Sequence, residues 1–193
     1  MGQKQTAVMT GNKVKIDTVI KNLEKRNMKG YYCETAADAK ELILSMIKEE
    51  DVVSWGGSVS VDQTGVKEEL KNVINTAAAK PEEAVAMRKK ALLADVFLTS
   101  TNAITMDGEL VNIDGMGNRV AAMCFGPDKV IVVAGANKIV RDEAAAIARI
   151  KTDACPPNCI RLMKKTPCAA TGKCGDCMIQ GNTICAYTVT TRF

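Results

Sequence analysis

The chain has 193 residues, of which 47% are hydrophobic but only 4% aromatic, a net charge of +4 at pH 7 and no histidine. This length fits one domain with or without an appendage, and the mild, scattered positive charge with few aromatic residues argues against nucleic-acid binding. No apolar run approaches the roughly 18 residues of a membrane span, and the N-terminus lacks the apolar segment of a signal peptide, so we expect a cytoplasmic protein without a membrane partner.

The first half of the chain alternates predicted helices and strands. Residues 13–26 carry apolar side chains at helical spacing, and residues 30–34 predict a short strand. Thr35 is typical of a helix N-cap, with Asp38 three residues later. A strand is predicted at 51–55, a helix from about 62 to 71, and another strand at 72–76. The loop Gly56-Gly57-Ser58 lies between the strand at 51–55 and the helix that begins near residue 62.

The second half continues the alternation. We predict a helix over about 81–93, a buried strand at 95–98, and a hairpin bounded by two Asp-Gly turns, at Asp107 and Asp114. A helix opens near Asn118, the run at 129–134 predicts a buried strand, and Asp142 caps a further helix. Residues 186–190 are strand-like and predict that the tail returns to a sheet edge.

The pattern indicates an α/β fold whose mostly parallel sheet has helices on both faces. We place an α/β domain at 1–151 and a cysteine-rich extension, packed on it, at 152–193.

Polar side chains and glycines gather where predicted strands end. The carboxyl ends of parallel strands share one edge of a sheet, so these side chains and glycines should lie close together. Their grouping predicts a site for a small anionic metabolite or nucleotide-like ligand. A guanidinium would bind the anion in a forked geometry. The alternative is that the glycines only make turns and the arginine is solvated. The predicted ligand-binding residues are Gly56, Gly57, Ser58, Ser100, Thr101, Asn102, Asn118 and Arg119.

Two segments, SWGGSVSVDQTGV and TNAITMDGELVNIDGMGNRVAAMCFGPDKVIVVAGANKIV, resemble the lactate-utilisation (LUD) domain family. The resemblance runs from about residue 12 to the C-terminus. It implies a fold similar to ribose-5-phosphate isomerase, glucosamine-phosphate isomerase and the CoA transferases, a role in lactate or related carboxylate metabolism, and a homodimer. The chain has no G-x-G-x-x-G dinucleotide motif in register, so we do not expect a complete dehydrogenase.

A second hypothesis is a CoA-transferase-like or sugar-phosphate-isomerase-like enzyme. Without histidine, proton transfer falls to carboxylates, Lys, Tyr or Cys. By the resemblance, Asn102 stands near the position of a catalytic carboxylate in the isomerases, and an amide does not accept a proton at neutral pH. Asp114 and Glu109 remain as candidate catalytic bases.

Six of the eight cysteines lie between residues 155 and 185. In a cytoplasmic chain such clustering indicates metal or redox chemistry before structural disulfides. Four thiolates could hold zinc or an iron–sulfur cluster, and the predicted ligands are Cys168, Cys174, Cys177 and Cys185. The alternative is a set of redox-labile thiols. A third hypothesis is therefore a metal-bearing or redox subunit of an oxidoreductase complex, docking redox partner proteins. The remaining two, Cys33 and Cys124, are predicted to be buried core thiols.

Overall fold

Two β-sheets organise the chain. A computed structural model describes the backbone of residues 3–193 and the side chains of residues 10–193. The helices are α1 Gln3–Lys25, α2 Ala36–Ser45, α3 Val59–Asp62, α4 Ala84–Ala91, α5 Asn118–Cys124, α6 Glu143–Arg149, α7 Cys155–Arg161 and α8 Pro167–Thr171. The strands are β1 Val53–Trp55, β2 Val73–Ile74, β3 Val96–Thr99, β4 Ala103–Thr105, β5 Leu110–Asp114, β6 Lys129–Val132, β7 Ile139–Val140 and β8 Tyr187–Thr191.

The contacts divide the chain into two compact units. The parallel-sheet unit comprises Cys33–Ser100 and Gly117–Gly135. The mixed-sheet unit comprises the chain up to Tyr32, Thr101–Met116 and Ala136–Phe193. The predicted boundary between 151 and 152 falls inside a helical run in which α6, a π-helical segment Ile150–Ala154 and α7 follow one another without a break.

The parallel-sheet unit is built on four parallel strands in the order β2-β1-β3-β6. Val53 of β1 pairs in register with Val96 of β3, and both belong to a core cluster with Ile43 of α2 and Val61 of α3. Ile74 pairs with Ser54, one residue on from Val53, so it faces the opposite side of the sheet, since side chains alternate along a strand. There it packs with residues of α4 and the segment that follows it, Ala91 and Ala94. Helices therefore cover both faces, and the predicted α/β class with a parallel sheet is confirmed.

The mixed-sheet unit has the strand order β7-β4-β5-β8. β4 runs parallel to β7 and antiparallel to β5, while β5 runs antiparallel to β8 over its whole length. The core of this unit joins Ala103 and Val111 of the sheet to Ala146, Ile150 and Cys155 of the helical run. The strand predicted near the C-terminus thus does return to a sheet edge, beside the hairpin.

Several predicted elements differ in extent. The helix predicted over 13–26 is longer, as α1, and the helix predicted over 62–71 is instead the short α3 followed by a 3-10 turn, Val66–Glu69. Gly65, with φ of 67°, separates these two pieces. The strand predicted at 30–34 is wrong, because the structure has irregular backbone there. The strand β6 forms as predicted but is only half-buried, since it lies at the edge of its sheet.

No helix in the described part of the chain combines the length and apolar character that a membrane crossing requires.

Candidate functional site

The carboxyl edge of the parallel sheet contains a topological switch point. From β1 the chain moves to β2 on one side, whereas from β3 it moves to β6 on the other. The crevice between the carboxyl ends of β1 and β3 is therefore the place where open α/β sheets bind ligands. Gly56 follows β1 directly, and Ser100 follows β3 directly.

Arg119, in the first turn of α5, reaches this edge. Its Nη1 donates to the carbonyl oxygen of Ser100 at 3.0 Å. A Cβ atom at residue 56 would lie 3.3 Å from Arg119 Cδ, which is closer than side chains ordinarily pack. It would lie 3.5 Å from Thr99 Oγ1, an ordinary contact distance. Glycine at 56 therefore leaves room for the arginine stem, and the guanidinium is held beside the ends of β1 and β3.

The glycine loop contributes less than its sequence predicts. The Gly56 N–H donates to Leu98 O at 3.0 Å and so belongs to the hydrogen bonding of the sheet. Ser58 is the N-cap of α3, and its Oγ accepts from Val61 N at 3.2 Å. Gly57 is exposed. Of the three residues, Gly57 presents its backbone to solvent, while the other two have local structural roles.

The predicted ligand residues are divided between the two units. Six lie in the parallel-sheet unit: Gly56, Gly57, Ser58, Ser100, Asn118 and Arg119. Thr101 and Asn102 lie in the mixed-sheet unit. The role of each as a ligand contact stays a prediction.

Thr101 and Asn102 hold the β4–β5 hairpin together. Thr101 is 2% exposed and donates through Oγ1 to Ala103 O at 2.9 Å. Asn102 Oδ1 accepts from Ile113 N at 3.0 Å, and its backbone N–H donates to Asn112 Oδ1 at 3.2 Å. Two amide side chains thus replace ladder hydrogen bonds where the pairing of β4 with β5 ends. The polar residues that the sequence assigns to a ligand serve the backbone here.

The two candidate bases have different surroundings. Asp114 is buried at the end of β5, and its Oδ1 accepts from Met116 N at 3.1 Å, the local hydrogen bond that favours Asp in turns. Glu109 Oε1 lies 3.4 Å from Arg26 Nη2 and 3.2 Å from Arg192 Nε. Its side chain is 14% exposed. A catalytic role for either carboxylate stays a prediction.

The C-terminal thiols form contacts that the cysteine spacing does not reveal. Cys155 Sγ lies 3.4 Å from Cys185 Sγ, although the two are 30 residues apart. Cys168 Sγ contacts Thr166 Oγ1 at 3.3 Å, and Cys174 Sγ lies 3.8 Å from Asp176 Oδ1. In the part of the chain that the structure describes, no three His, Cys, Asp or Glu residues are arranged to hold a metal ion. The role of Cys168, Cys174, Cys177 and Cys185 as metal ligands stays a prediction.

The pKa values of the two paired thiols are shifted in opposite directions. The hydrogen bond with Cys155 lowers the pKa of Cys185 to about 7, and the charge of Lys151 adds to the effect. The same hydrogen bond, together with burial, raises the pKa of Cys155. Cys185 is therefore the sulfur that ionises first.

The two cysteines outside the tail are not the buried core thiols that the sequence predicts. Cys33 is half-buried, and Cys124 is exposed at the end of α5. Burial raises the pKa of Cys33 above its usual range, with a smaller contribution from Asp38.

Comparison with known families agrees with the resemblance in the sequence. The family model described as the LUD domain matches residues 16–192. The chain belongs to the LUD domain family. The match covers both units, including the cysteine-rich tail, so the LUD domain here includes β8 and the C-terminal thiols. No curated protein matches the chain. The LUD domain family is related to lactate utilisation.

Proposed function

We propose that this LUD-domain protein binds a small anionic metabolite, a carboxylate or phosphate, at the carboxyl edge of its parallel sheet and serves lactate or related carboxylate metabolism. The observation that carries the proposal is the placement of Arg119 beside the ends of β1 and β3. The guanidinium is fixed there from two sides, by its hydrogen bond to Ser100 O and by packing of its stem over Gly56.

This position suits an anion on physical grounds. A guanidinium carries a permanent charge and planar donors that match the oxygens of a carboxylate or phosphate. Arg119 is half-buried, and its charge is less screened than that of a fully exposed arginine. The exposed backbone of Gly57 and the nearby start of α5 at Asn118 complete the set of groups that we assign to the ligand.

The enzyme alternatives gain less support from the site. A CoA-transferase mechanism needs a nucleophilic glutamate, and Glu109 is engaged by two arginines. An isomerase mechanism needs a base near Asn102, where the amide instead binds Ile113 N. These arrangements favour ligand binding over nucleophilic attack by Glu109 or proton transfer near Asn102.

A thermal-shift screen with lactate, CoA esters, sugar phosphates and nucleotides tests the proposal. A ligand present at 100 times its Kd should stabilise the protein by about 2.7 kcal/mol, or about 5–10 °C in Tm for a chain of this size. Arg119→Ala should weaken binding of the hit about 10- to 100-fold, since hydrogen bonds to charged groups contribute about 1.5–3 kcal/mol.

Two further variants make the result specific. Arg119→Lys keeps the charge but loses the fork, and we expect intermediate affinity. Arg161→Ala removes an exposed guanidinium whose hydrogen-bond partner is Asn158 within α7, and it should bind the hit as the wild type does. Titration calorimetry on each variant separates affinity from the stability of the unliganded protein. Unchanged affinity in Arg119→Ala would refute the placement of the anion at this edge.

A further inference from the structure

The Cys155–Cys185 pair joins an anchored sulfur to an accessible one. Cys155 is the first residue of α7, is 6% exposed, and belongs to the core cluster that contains Val111 and Ile150. Cys185 is exposed and lies in the irregular segment two residues before β8. Their sulfur atoms are 3.4 Å apart. The Cys185 thiol is therefore accessible to a reagent in solvent, while the Cys155 thiol lies next to it in the core.

We propose that Cys155 and Cys185 are a redox-active dithiol that undergoes thiol–disulfide exchange with a small-molecule disulfide of the glutathione type. A disulfide has an S–S length of about 2.05 Å, so closing the bond requires the two sulfurs to approach by about 1.4 Å. This activity is independent of the anion site, because it uses different residues and a different unit of the chain.

The exchange proceeds in two balanced steps. The thiolate of Cys185 attacks one sulfur of the disulfide R–S–S–R, forms a mixed disulfide with it, and releases one R–S⁻. Cys155 gives up its thiol proton to water, attacks Cys185 Sγ and releases the second R–S⁻. The R–S⁻ groups take up protons from solvent. The protein dithiol is oxidised to a disulfide, and the small molecule is reduced to two thiols.

The neighbouring cysteines are less suited to either role. Cys159 and Cys168 are both buried, at 1% and 6% exposure, so a reagent in solvent does not reach them directly. Cys174 and Cys177 have favourable spacing in sequence, but the contact that Cys174 Sγ makes is with Asp176 Oδ1, at 3.8 Å. Reaction should therefore begin at Cys185 and end at Cys155.

Peptide mapping after exchange tests the proposal on the full chain. The protein is reduced without oxygen, incubated with oxidised glutathione, quenched with iodoacetamide, digested with trypsin and analysed by fragmentation mass spectrometry. Trypsin separates the peptides 152–161 and 174–192, which contain the two cysteines. We expect these peptides to become cross-linked through Cys155 and Cys185 in the wild type.

Substitutions distinguish this pair from the other thiols. Cys155→Ser should stop the reaction at the first step and accumulate glutathione on Cys185. Cys185→Ser should lose both the cross-link and the glutathione adduct. The matched control, Cys174→Ser with Cys177→Ser, should form the cross-link as the wild type does, and circular dichroism establishes that each variant is folded.

Three results would overturn the proposal. The first is a wild-type disulfide that joins Cys174 to Cys177 and leaves Cys155 alkylated. The second is glutathione on Cys155→Ser at a cysteine other than Cys185. The third is about one equivalent of zinc or iron in the purified protein, with Cys155 and Cys185 resistant to alkylation until a chelator is added.

Discussion

Individual side chains in this protein have chemistry that depends on one or two contacts. Cys185 and Cys155 are the same residue type, yet their shared hydrogen bond lowers the pKa of Cys185, while the same bond and burial raise the pKa of Cys155. Lys151 contributes to this difference through its charge, and its own Nζ lies 2.6 Å from Asp176 Oδ1. The acidity of each of these thiols is therefore determined by the few atoms that it contacts and not by the number of cysteines in the tail.

Alkylation of Cys185 should depend on pH with a midpoint near its pKa of about 7. Only the thiolate reacts, so the rate should rise as pH increases through 7 and level off above it. Lys151→Ala removes a positive charge that favours the thiolate, and it should shift the curve to higher pH. Iodoacetamide labelling over pH 5–10, with the label located at Cys185 by fragmentation of the 174–192 peptide, gives the profile.

The control for that profile is Lys165→Ala, which removes an exposed lysine, leaves the 174–192 peptide intact and should leave the curve in place. A Cys185 rate with a midpoint near that of an ordinary thiol, about 8.5, would contradict the assigned acidity.

The polar residues around the hairpin show what sequence can and cannot predict of a site. Arg119 and Gly56 are predicted as neighbours of one ligand, and the structure does place the Arg119 stem beside Gly56. Thr101 and Asn102 are predicted by the same reasoning, yet their side chains bond the backbone of β4 and β5. Amides and hydroxyls serve ligands and strand ends equally well, so the side-chain type alone does not distinguish the two uses.

Elements were predictable where a local signal decides them. Thr35 and Asp38 form the capping box of α2, and Asp142 Oδ1 accepts from Ala145 N at the start of α6. Both caps follow from short-range hydrogen bonds that the sequence encodes directly. The predicted strand at 30–34 failed because β propensity requires a neighbouring strand to pair with, which sequence does not supply. The Cys155–Cys185 contact was not predicted, for a similar reason, since it depends on the long-range return of β8.

The packing of the β4–β5 hairpin against α1 depends on Gly108. This residue has φ of 80°, and a Cβ there would lie 2.7 Å from the backbone of Asn22 and of Leu23. Asn22 Nδ2 also donates to Met106 O at 2.9 Å, so the turn and the helix are joined at this point. The site tolerates no side chain without movement of one element.

Gly108→Ala should therefore destabilise the protein more than the loss of a left-handed glycine alone. Gly172, with φ of 73° and no atom within 4 Å of a Cβ, is the matched control. Gly172→Ala should cost about 1–2 kcal/mol for the backbone conformation. Gly108→Ala should cost about 1–3 kcal/mol more, because the overlap adds to it. Urea unfolding measures both, and equal losses would show that the turn yields without strain.

At the scale of the whole molecule, neither unit is a continuous segment of the chain. The chain passes from one unit to the other at residues 32–33, 100–101, 116–117 and 135–136. The mixed-sheet unit takes its strands from both the middle and the end of the sequence, because β8 pairs with β5. Cys155 and β8 of the cysteine-rich tail are consequently part of the core and the sheet of this unit.

A chain truncated after residue 151 tests this organisation. It would lose β8, which pairs with β5 from Leu110 to Asp114, and Cys155, which packs in the core with Ala103 and Val111. An unpaired edge with buried apolar residues promotes aggregation and lowers stability. We expect the truncated chain to be poorly soluble, or to unfold in urea with a smaller slope than the full chain, because less surface becomes exposed. Removal of Phe193 alone, which is 85% exposed, should leave the transition unchanged. Full cooperativity and unchanged stability in the truncated chain would instead show that residues 1–151 fold on their own.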